Sequence, residues 1–419
     1  MNRSFLLRAE FCLALALSIV ASGSALAHQA RHAHRAKAAA MATAVPVDTG
    51  PPPVALGGKI ALPADVPPPP QLPDIKSYVL LDFATGTVIA SKAPRLHLAP
   101  ASLTKLMTVY LTYKALKAGT LSLTQSVPVS TEAWKATGSR MFIQPGMPVT
   151  VAQLISGLVI DSGNDAAVAL AEATAGTLGS FVEMMNKAAT TLGLADTHYS
   201  NVNGLPAPDL YTSAGDIALL SRAIIERFPG ILDISKQQFF TYNKIRQRSW
   251  NPVLFRDATV DGLKTGLTDE SGHCIDATAR RNGRRLIAVV MGGPSWTASS
   301  NDVESLLDYG YRFFKNRRLV SRGDTVGAIN NPLRDPTHIP VAAGNSAIMT
   351  LPASHGVKIE KSLALAPKIA GKIAKGAVVG TLTIRLGGNI IATVPAVAEA
   401  ASRPAGIEQR LVYKLKHLF

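Results

Sequence analysis

Ser102 and Lys105 form the one S-x-x-K of the chain, inside Pro100-Ala101-Ser102-Leu103-Thr104-Lys105-Leu106-Met107-Thr108. Pro100 and Ser102 suit a helix start. The pattern over residues 103–117 is helical, and Gly119 suits its stop. Three residues on a helix are one turn, so the Ser102 hydroxyl comes within hydrogen-bond reach of the Lys105 amine. Leu106, Met107, Val109, Tyr110, Leu111, Tyr113 and Leu116 make this helix apolar almost all round, which predicts a central, buried one. Burial has a chemical consequence. A lysine titrates at about 10.4 and is a cation at neutral pH, but desolvation and a nearby cation both favour the neutral amine. A neutral Lys105 can take the proton of Ser102 and make it a nucleophile. The spacing alone is weak, because a surface serine beside a solvated lysine gives the same four letters. The chemistry needs partners.

Two further groups offer them. Asp161-Ser162-Gly163-Asn164-Asp165 is a turn between two apolar helices, where a hydroxyl and an amide can point together into a cleft. S-x-N recurs at residues 249–251 and 299–301, so context rather than spacing singles out Ser162 and Asn164. A local helix cap is the plain alternative. Lys264-Thr265-Gly266 is the one K-T-G and lies in a Gly-rich strand, residues 259–266. Glycine within a strand often marks close approach by a ligand. Lys264 at the rim is a cation placed for a carboxylate, or else a solvated strand lysine.

The elements that must position these groups follow from the pattern. Residues 77–83 and 87–91 read as a hairpin around Ala84-Thr85-Gly86. Thr150 and Gln153 form a capping box for an apolar helix reaching Ile160. Residues 168–173, 180–192 and 212–227 continue as helices. Strands at 273–279 and 286–291 join around Asn282-Gly283, a strong hairpin signal. A helix over 302–314 would pack on this antiparallel sheet. Beyond Arg317, glycines such as Gly323, Gly344, Gly371, Gly380 and Gly387 punctuate short apolar runs such as 378–386 and 390–394, which predicts a small β-rich domain.

Composition bounds the function. The 419 residues are 47% hydrophobic and 17% charged, enough for two or more folded domains. A formal charge of +15 raises nucleic acid as a partner. The N-terminus argues against it. Arg3 and Arg8 precede an apolar run at 11–20, and small residues ending in Ala25-Leu26-Ala27 follow, a secretory signal with an A-x-A cleavage site. The run is short for a membrane span, and an uncleaved anchor is the alternative. Removing residues 1–27 leaves +14. Outside the cytoplasm such a protein meets anionic lipid and wall carboxylates, not nucleic acid. Of the two cysteines, Cys12 leaves with the signal and Cys274 stays alone, so no internal disulfide and no thiolate metal cluster can form in the mature chain. With no H-E-x-x-H either, no metal or cofactor is expected.

S-x-x-K, S-D-N and K-T-G in this order mark penicillin-binding proteins and class A β-lactamases, and the S-x-x-K, S-x-N and K-T-G of this chain resemble that set. The wider stretches 99–108, 162–166, 203–206 (Asn203-Gly204-Leu205-Pro206) and 260–266 resemble the serine-type D-alanyl-D-alanine carboxypeptidases, low-molecular-mass penicillin-binding proteins. The resemblance covers roughly residues 75–314. It implies an α+β transpeptidase-like domain, an antiparallel sheet flanked by helices, followed by a small β-rich domain. It implies attack by Ser102 on the bond between the terminal D-alanines of a peptidoglycan stem peptide, with Lys105 as base. Ser162 would relay the proton to the leaving amine, and Asn164 would orient Lys105 and the substrate amide. Lys264 and Thr265 would hold the terminal carboxylate, with Gly266 beside them, and the backbone N–H groups of Ser102 and Leu267 would form the oxyanion hole. Arg248 matches, with one residue of slippage, an arginine that helps to bind that carboxylate. β-Lactam antibiotics would acylate Ser102. Three positions depart from the family pattern: Leu267 replaces a usual His, Gly215 an Arg, and Ser271 a common Ala. A β-lactamase would want S-D-N, and Gly163 stands there. A D,D-endopeptidase and an inactive wall-binding scaffold are the other readings.

The expected organisation is a signal peptide (1–27), an unstructured Pro- and Ala-rich leader (28–72), a catalytic domain (73–316), a β-rich domain (317–398), and a linker with an amphipathic helix (399–419). On a helical wheel Ile407, Leu411, Val412, Leu415, Leu418 and Phe419 fall within roughly 140°, opposite Arg410, Lys414, Lys416 and His417. Thirteen residues cannot span a bilayer, but they can lie on the anionic surface of the inner membrane. The alternative is a helix docked on the β-rich domain. The expected location is periplasmic.

Overall fold

The computed structural model describes residues 66–353, 358–367 and 371–416. The signal peptide, most of the leader and residues 417–419 lie outside the described residues.

Strands β1 (Ser77–Asp82) and β2 (Val88–Lys92) form the first hairpin. Helices α1 (Lys105–Lys117), α2 (Val151–Val159), α3 (Asn164–Ala175), α4 (Leu178–Leu192) and α5 (Ala214–Arg227) follow. A small hairpin, β3 (Phe239–Tyr242) with β4 (Ile245–Arg248), precedes β5 (Val260–Thr268), β6 (Gly272–Arg281), β7 (Arg284–Gly293) and helix α6 (Trp296–Phe313). The main sheet has the order β2-β1-β7-β6-β5 and is antiparallel throughout. Successive strand residues point to opposite faces, and here both faces are covered. Val79, Leu81, Ile287, Val289 and Met291 face the cluster built on α1 to α5. Tyr78, Leu80, Leu286, Ala288 and Val290 face Val303, Leu306 and Leu307 of α6. Each buried valine, leucine, isoleucine or methionine among them contributes roughly 1.5–3 kcal/mol by leaving water. That two-sided burial is why β7 reads as a continuous apolar run.

The caps are mostly where side-chain chemistry puts them. Thr150 and Gln153 close the capping box on α2. Ser213 caps α5 by accepting from the Asp216 N–H. Helix α4 starts at Leu178 rather than at residue 180, because Thr177 caps it by accepting from the Ser180 N–H. The helix carrying Ser102 also differs: Ala101–Thr104 is a 3₁₀ turn, and the α-helix proper begins at Lys105. Helix α6 begins at Trp296 rather than at 302, capped by Ser295.

Two expected boundaries move. The leader was expected to be unstructured through residue 72, but its last part packs on the catalytic domain. Val66 and Leu72 are buried with Ile75 against α6 and the sheet, and the Tyr309 hydroxyl donates to the Pro67 carbonyl at 2.9 Å. Apolar anchors at both ends of a stiff proline run cost little entropy to dock. The boundary expected at 316 falls inside a strand: β8 (Phe314–Val320) leaves α6 directly and pairs with β11 (Ala347–Pro352). A five-stranded sheet then runs β9 (Thr325–Asn330), β10 (His338–Ala343), β14 (Asn389–Ala398), β13 (Val378–Leu386), β12 (Ile359–Leu365). Residues 399–406 are more than linker, since Arg403–Pro404 pair with Arg334–Asp335 and Ala405 is buried. Helix α7 (Ile407–Lys416) ends the described chain.

One glycine ties the helical part to the site. Gly204 adopts φ +88°, and a Cβ there would lie 1.7 Å from the Ala101 carbonyl oxygen. Gly204→Ala should therefore lower stability by about 2–4 kcal/mol and displace the loop that holds Lys105. Denaturant unfolding checks this, and an unchanged midpoint would show that the loop is not pinned at Gly204.

Candidate active site

The site assembles where the Ser102 turn, the α2–α3 turn, the loop at residues 199–206 and strand β5 converge. The Lys105 amine lies 2.7 Å from Ser102 Oγ and 2.7 Å from the Asn203 carbonyl oxygen. Lys105 is 1% exposed and Lys264 3%. Their stems meet Leu106, Val109, Leu158, Val159, Ile231 and Leu263 around a void of about 10 Å³. Desolvation holds the Lys105 amine well below the usual lysine value, and the charge of Lys264 lowers it further, against an opposing pull from Asp165. Burial brings Lys264 down to about 7. Lys105 Nζ is placed to donate to both oxygens; in its neutral form it keeps a lone pair that can accept the Ser102 proton. That is the arrangement of an activated nucleophile.

Lys264 Nζ donates to Ser162 Oγ at 2.9 Å and to the Thr265 carbonyl at 3.0 Å. Ser162 sits at φ +59°, an unusual backbone for serine that the turn must hold. Ser139 Oγ donates to the Ser162 carbonyl at 2.7 Å, and the Asn164 N–H to the Ser139 carbonyl at 2.7 Å. Asp165, fully buried, accepts from the N–H groups of Met141, Phe142 and Ile143. Residues 139–143 are thus fastened to the turn that presents Ser162. Opposite, Gly266 lets β5 approach the nucleophile, since a Cβ there would lie 3.2 Å from Ser102 N and 3.0 Å from the Pro100 carbonyl. Strand β5 consequently passes close to the backbone of Ser102 at Gly266, one residue before Leu267. Ser102, Ser162, Thr265, Gly266 and Leu267 line a cleft of about 390 Å³ together with Gly138, Ser139, Trp250 and Trp296.

Two expected placements need correction. Asn164 was expected to orient Lys105. Its amide N–H instead donates to the Thr137 carbonyl, its Oδ1 is a buried acceptor without a partner, and the Asn203 carbonyl takes the second contact of Lys105. Arg248 was expected at the carboxylate. It is exposed on β4, with its guanidinium carbon 3.9 Å from the centre of the Phe255 ring. Strand alternation explains this: Arg246 and Arg248 share the outer face, while Gln247 turns inward to the Arg140 carbonyl. Trp250, two residues on, reaches the cleft instead.

Several contributors carried little sequence signal. Asn203 acts through its carbonyl, which any residue supplies. The visible cue was Asn201-Val202-Asn203-Gly204, where Asn201 Oδ1 accepts from the Gly204 N–H at 2.7 Å and closes the turn. Asp161, one residue before Ser162, is buried with both carboxylate oxygens unpartnered. Desolvation and then Asp165 push it up to about 7. Its own backbone carbonyl accepts the Trp250 indole N–H at 3.1 Å.

The lysine pair sets the pH dependence of attack by Ser102. The reactive form needs neutral Lys105, so kcat/KM falls as pH drops through the Lys105 pKa. The Lys264 cation depresses that pKa; removing it raises it. Lys264→Ala should therefore move the acid limb of kcat/KM to higher pH, while Lys105→Arg should abolish acylation at every pH because a guanidinium stays protonated. A limb that stays put or moves down in Lys264→Ala, or near-normal acylation in Lys105→Arg, would place the base elsewhere.

Comparison with known proteins agrees with this geometry. A family model described as D-alanyl-D-alanine carboxypeptidase matches residues 66–295, and one described as penicillin-binding protein 5, C-terminal domain, matches residues 314–402. The D-alanyl-D-alanine carboxypeptidase DacC of Escherichia coli (strain K12) is 38% identical over 77% of this chain and 83% of its own length. The crystal structure of penicillin binding protein 5 from Haemophilus influenzae superposes with a TM-score of 0.74, 32% identity, and coverage of 80% of this chain and 99% of that one. Penicillin-binding protein D2 from Listeria monocytogenes, in an ampicillin-bound form, gives a TM-score of 0.54 at 27% identity over 58% of this chain and all of that one. With family models matched over both of its domains and a relative 38% identical over most of its length, the chain belongs to the D-alanyl-D-alanine carboxypeptidase family of serine peptidases.

Proposed function

We propose that this enzyme removes the terminal D-alanine from peptidoglycan stem pentapeptides, working from the periplasmic surface of the inner membrane. The observation that carries the chemistry is the Lys105 amine, buried and held between Ser102 Oγ and the Asn203 carbonyl. Ser102 Oγ attacks the carbonyl carbon of the D-Ala–D-Ala bond while its proton passes to Lys105. The N–H groups of Ser102 and Leu267 hold the oxyanion. The proton reaches the leaving amine through Ser162, the C–N bond breaks, and D-alanine departs. Water then adds to the Ser102 ester, and hydrolysis returns the hydroxyl. Lys264 and Thr265 take the terminal carboxylate. The strained amide of a β-lactam enters the same path and acylates Ser102. Product analysis on a pentapeptide and on a cross-linked peptide tests the reading. Free D-alanine from the pentapeptide is expected, with both release and penicillin labelling lost in Ser102→Ala. Cleavage of the cross-link alone would make the enzyme an endopeptidase.

Membrane attachment is proposed through α7. None of its described residues is buried, and Ile407, Leu411, Val412 and Leu415 are 83%, 58%, 52% and 54% exposed. Among the described residues no helix is long and apolar enough to cross a membrane. An amphipathic helix lying in the interface, with Arg410, Lys414 and Lys416 towards anionic headgroups, accounts for an apolar face left uncovered. The cut that tests it falls after Gly406, because Arg403–Pro404 and Ala405 belong to the β-rich domain. Removing residues 407–419 should release the protein from membranes with peptide turnover retained. Continued pelleting with membranes would place the anchor elsewhere.

A further inference from the structure

Three large apolar side chains line the cleft and take no part in the chemistry above: Trp250, Leu267 and Trp296. Their positions relative to the reacting atoms identify what they can touch. Thr265 and Leu267 lie on the same face of β5, two residues apart, which is about 6.6 Å along a strand. Thr265 belongs to the carboxylate clamp on the leaving side of the scissile bond. The oxyanion donors, the N–H groups of Ser102 and Leu267, mark the carbonyl. The Leu267 side chain therefore stands beyond the carbonyl, on the acyl side.

The apolar surface continues outward from there. Leu267 pairs across the sheet with His273. The His273 ring packs edge-on against Trp296, with ring centres 4.8 Å apart. Trp250 comes from the Ser162 side, fixed by its indole N–H on the Asp161 carbonyl at 3.1 Å. Trp250 and Leu267 are 47% and 45% exposed, so both present a large apolar face to whatever enters. The other lining residues are serines, a threonine and glycines. No carboxylate or guanidinium lines the cleft among the described residues, so a charged group on the acyl side has no partner of opposite sign there.

We infer that Trp250, Leu267 and Trp296 form a recognition wall for an apolar, ring-sized group on the acyl side of the donor, and that they set which donors acylate Ser102 fastest. The inference rests on the D,D-peptidase reading of the same serine. A flat or methylene-rich group gains by leaving water against two indoles and a leucine. A short acyl group leaves that surface wet. Specificity of this kind is graded, because an apolar wall rewards area and rejects little.

The test uses the full-length protein and two penicillins that differ by one phenyl ring, benzylpenicillin and 6-acetamidopenicillanic acid. Benzylpenicillin should acylate Ser102 faster by about tenfold or more, the factor that burying part of a ring supplies. Trp250→Ala and Trp296→Ala should each cut that ratio by roughly threefold or more, through slower reaction of benzylpenicillin. Leu267→Asn changes an exposed side chain, keeps the backbone N–H and should also lower the ratio, so the inference stays testable if a tryptophan variant folds poorly. A ratio near one in the parent enzyme overturns the wall, as does a ratio unmoved in all three variants. Should neither penicillin label Ser102, the peptidase reading falls and the wall falls with it.

Discussion

Two lysine amines buried side by side with no carboxylate between them are the constraint on which the site depends. Desolvation makes each charge costly, and the Lys264 charge makes that of Lys105 costlier still. Burial and the Lys264 charge favour the neutral form of the Lys105 amine, while Lys264 Nζ donates to the Ser162 hydroxyl and the Thr265 carbonyl. The reactivity of Ser102 follows from that neutral form. Much of the fold sustains it: α1 and α2, β5 and the short helix Ile231–Ser235 supply the apolar side chains that keep water from both amines.

Holding the pair in register requires unusual backbone. Ala101, Ser162 and Gly204 all have positive φ, and all three lie next to groups that contact a lysine or the nucleophile. Such conformations persist only where surrounding contacts over-determine them. Here the bonds are explicit. Asn201 closes the turn at Gly204, Thr108 holds the Val202 carbonyl at 2.7 Å, and Ser139 with Asp165 binds residues 139–143 to the Ser162 turn. Hydrogen bonds that look structural thus serve to aim three functional atoms at one another.

The cleft above the lysines divides by chemistry. Its floor is hydroxyls and glycine backbone, which suits a peptide bond and a carboxylate. Its rim is indole and leucine, with no charge of its own. Leu267, one of the three departures from the family pattern, belongs to that rim. An imidazole there would add a titratable group beside the carbonyl; the leucine adds only surface. The change therefore bears on which acyl group is favoured more than on the reaction class.

The sequence by itself determined the local rules. Apolar periodicity marked α1 as central, the Thr150–Gln153 box marked the start of α2, and Asn282-Gly283 marked the β6–β7 turn. Motif order was enough to pick Ser102, Lys105, Ser162 and Lys264 as one set, because side-chain type is what these roles demand. Tertiary structure decided what side-chain type does not encode. The second partner of Lys105 is a backbone carbonyl 98 residues away, and a carbonyl leaves no letter in the sequence. Asn164 could not be told from a group that touches Lys105, since only packing at Thr137 and Gly138 turns its amide. Arg248 and Trp250 lie two residues apart and both could reach a cleft; the alternation of β4 and the Phe255 ring sent the arginine outward. Likewise, a proline-rich leader looks unstructured until Val66 and Leu72 find α6. Spacing along the chain fixes which groups share an element, but which elements meet is settled by burial and by the satisfaction of backbone polar groups across the whole fold.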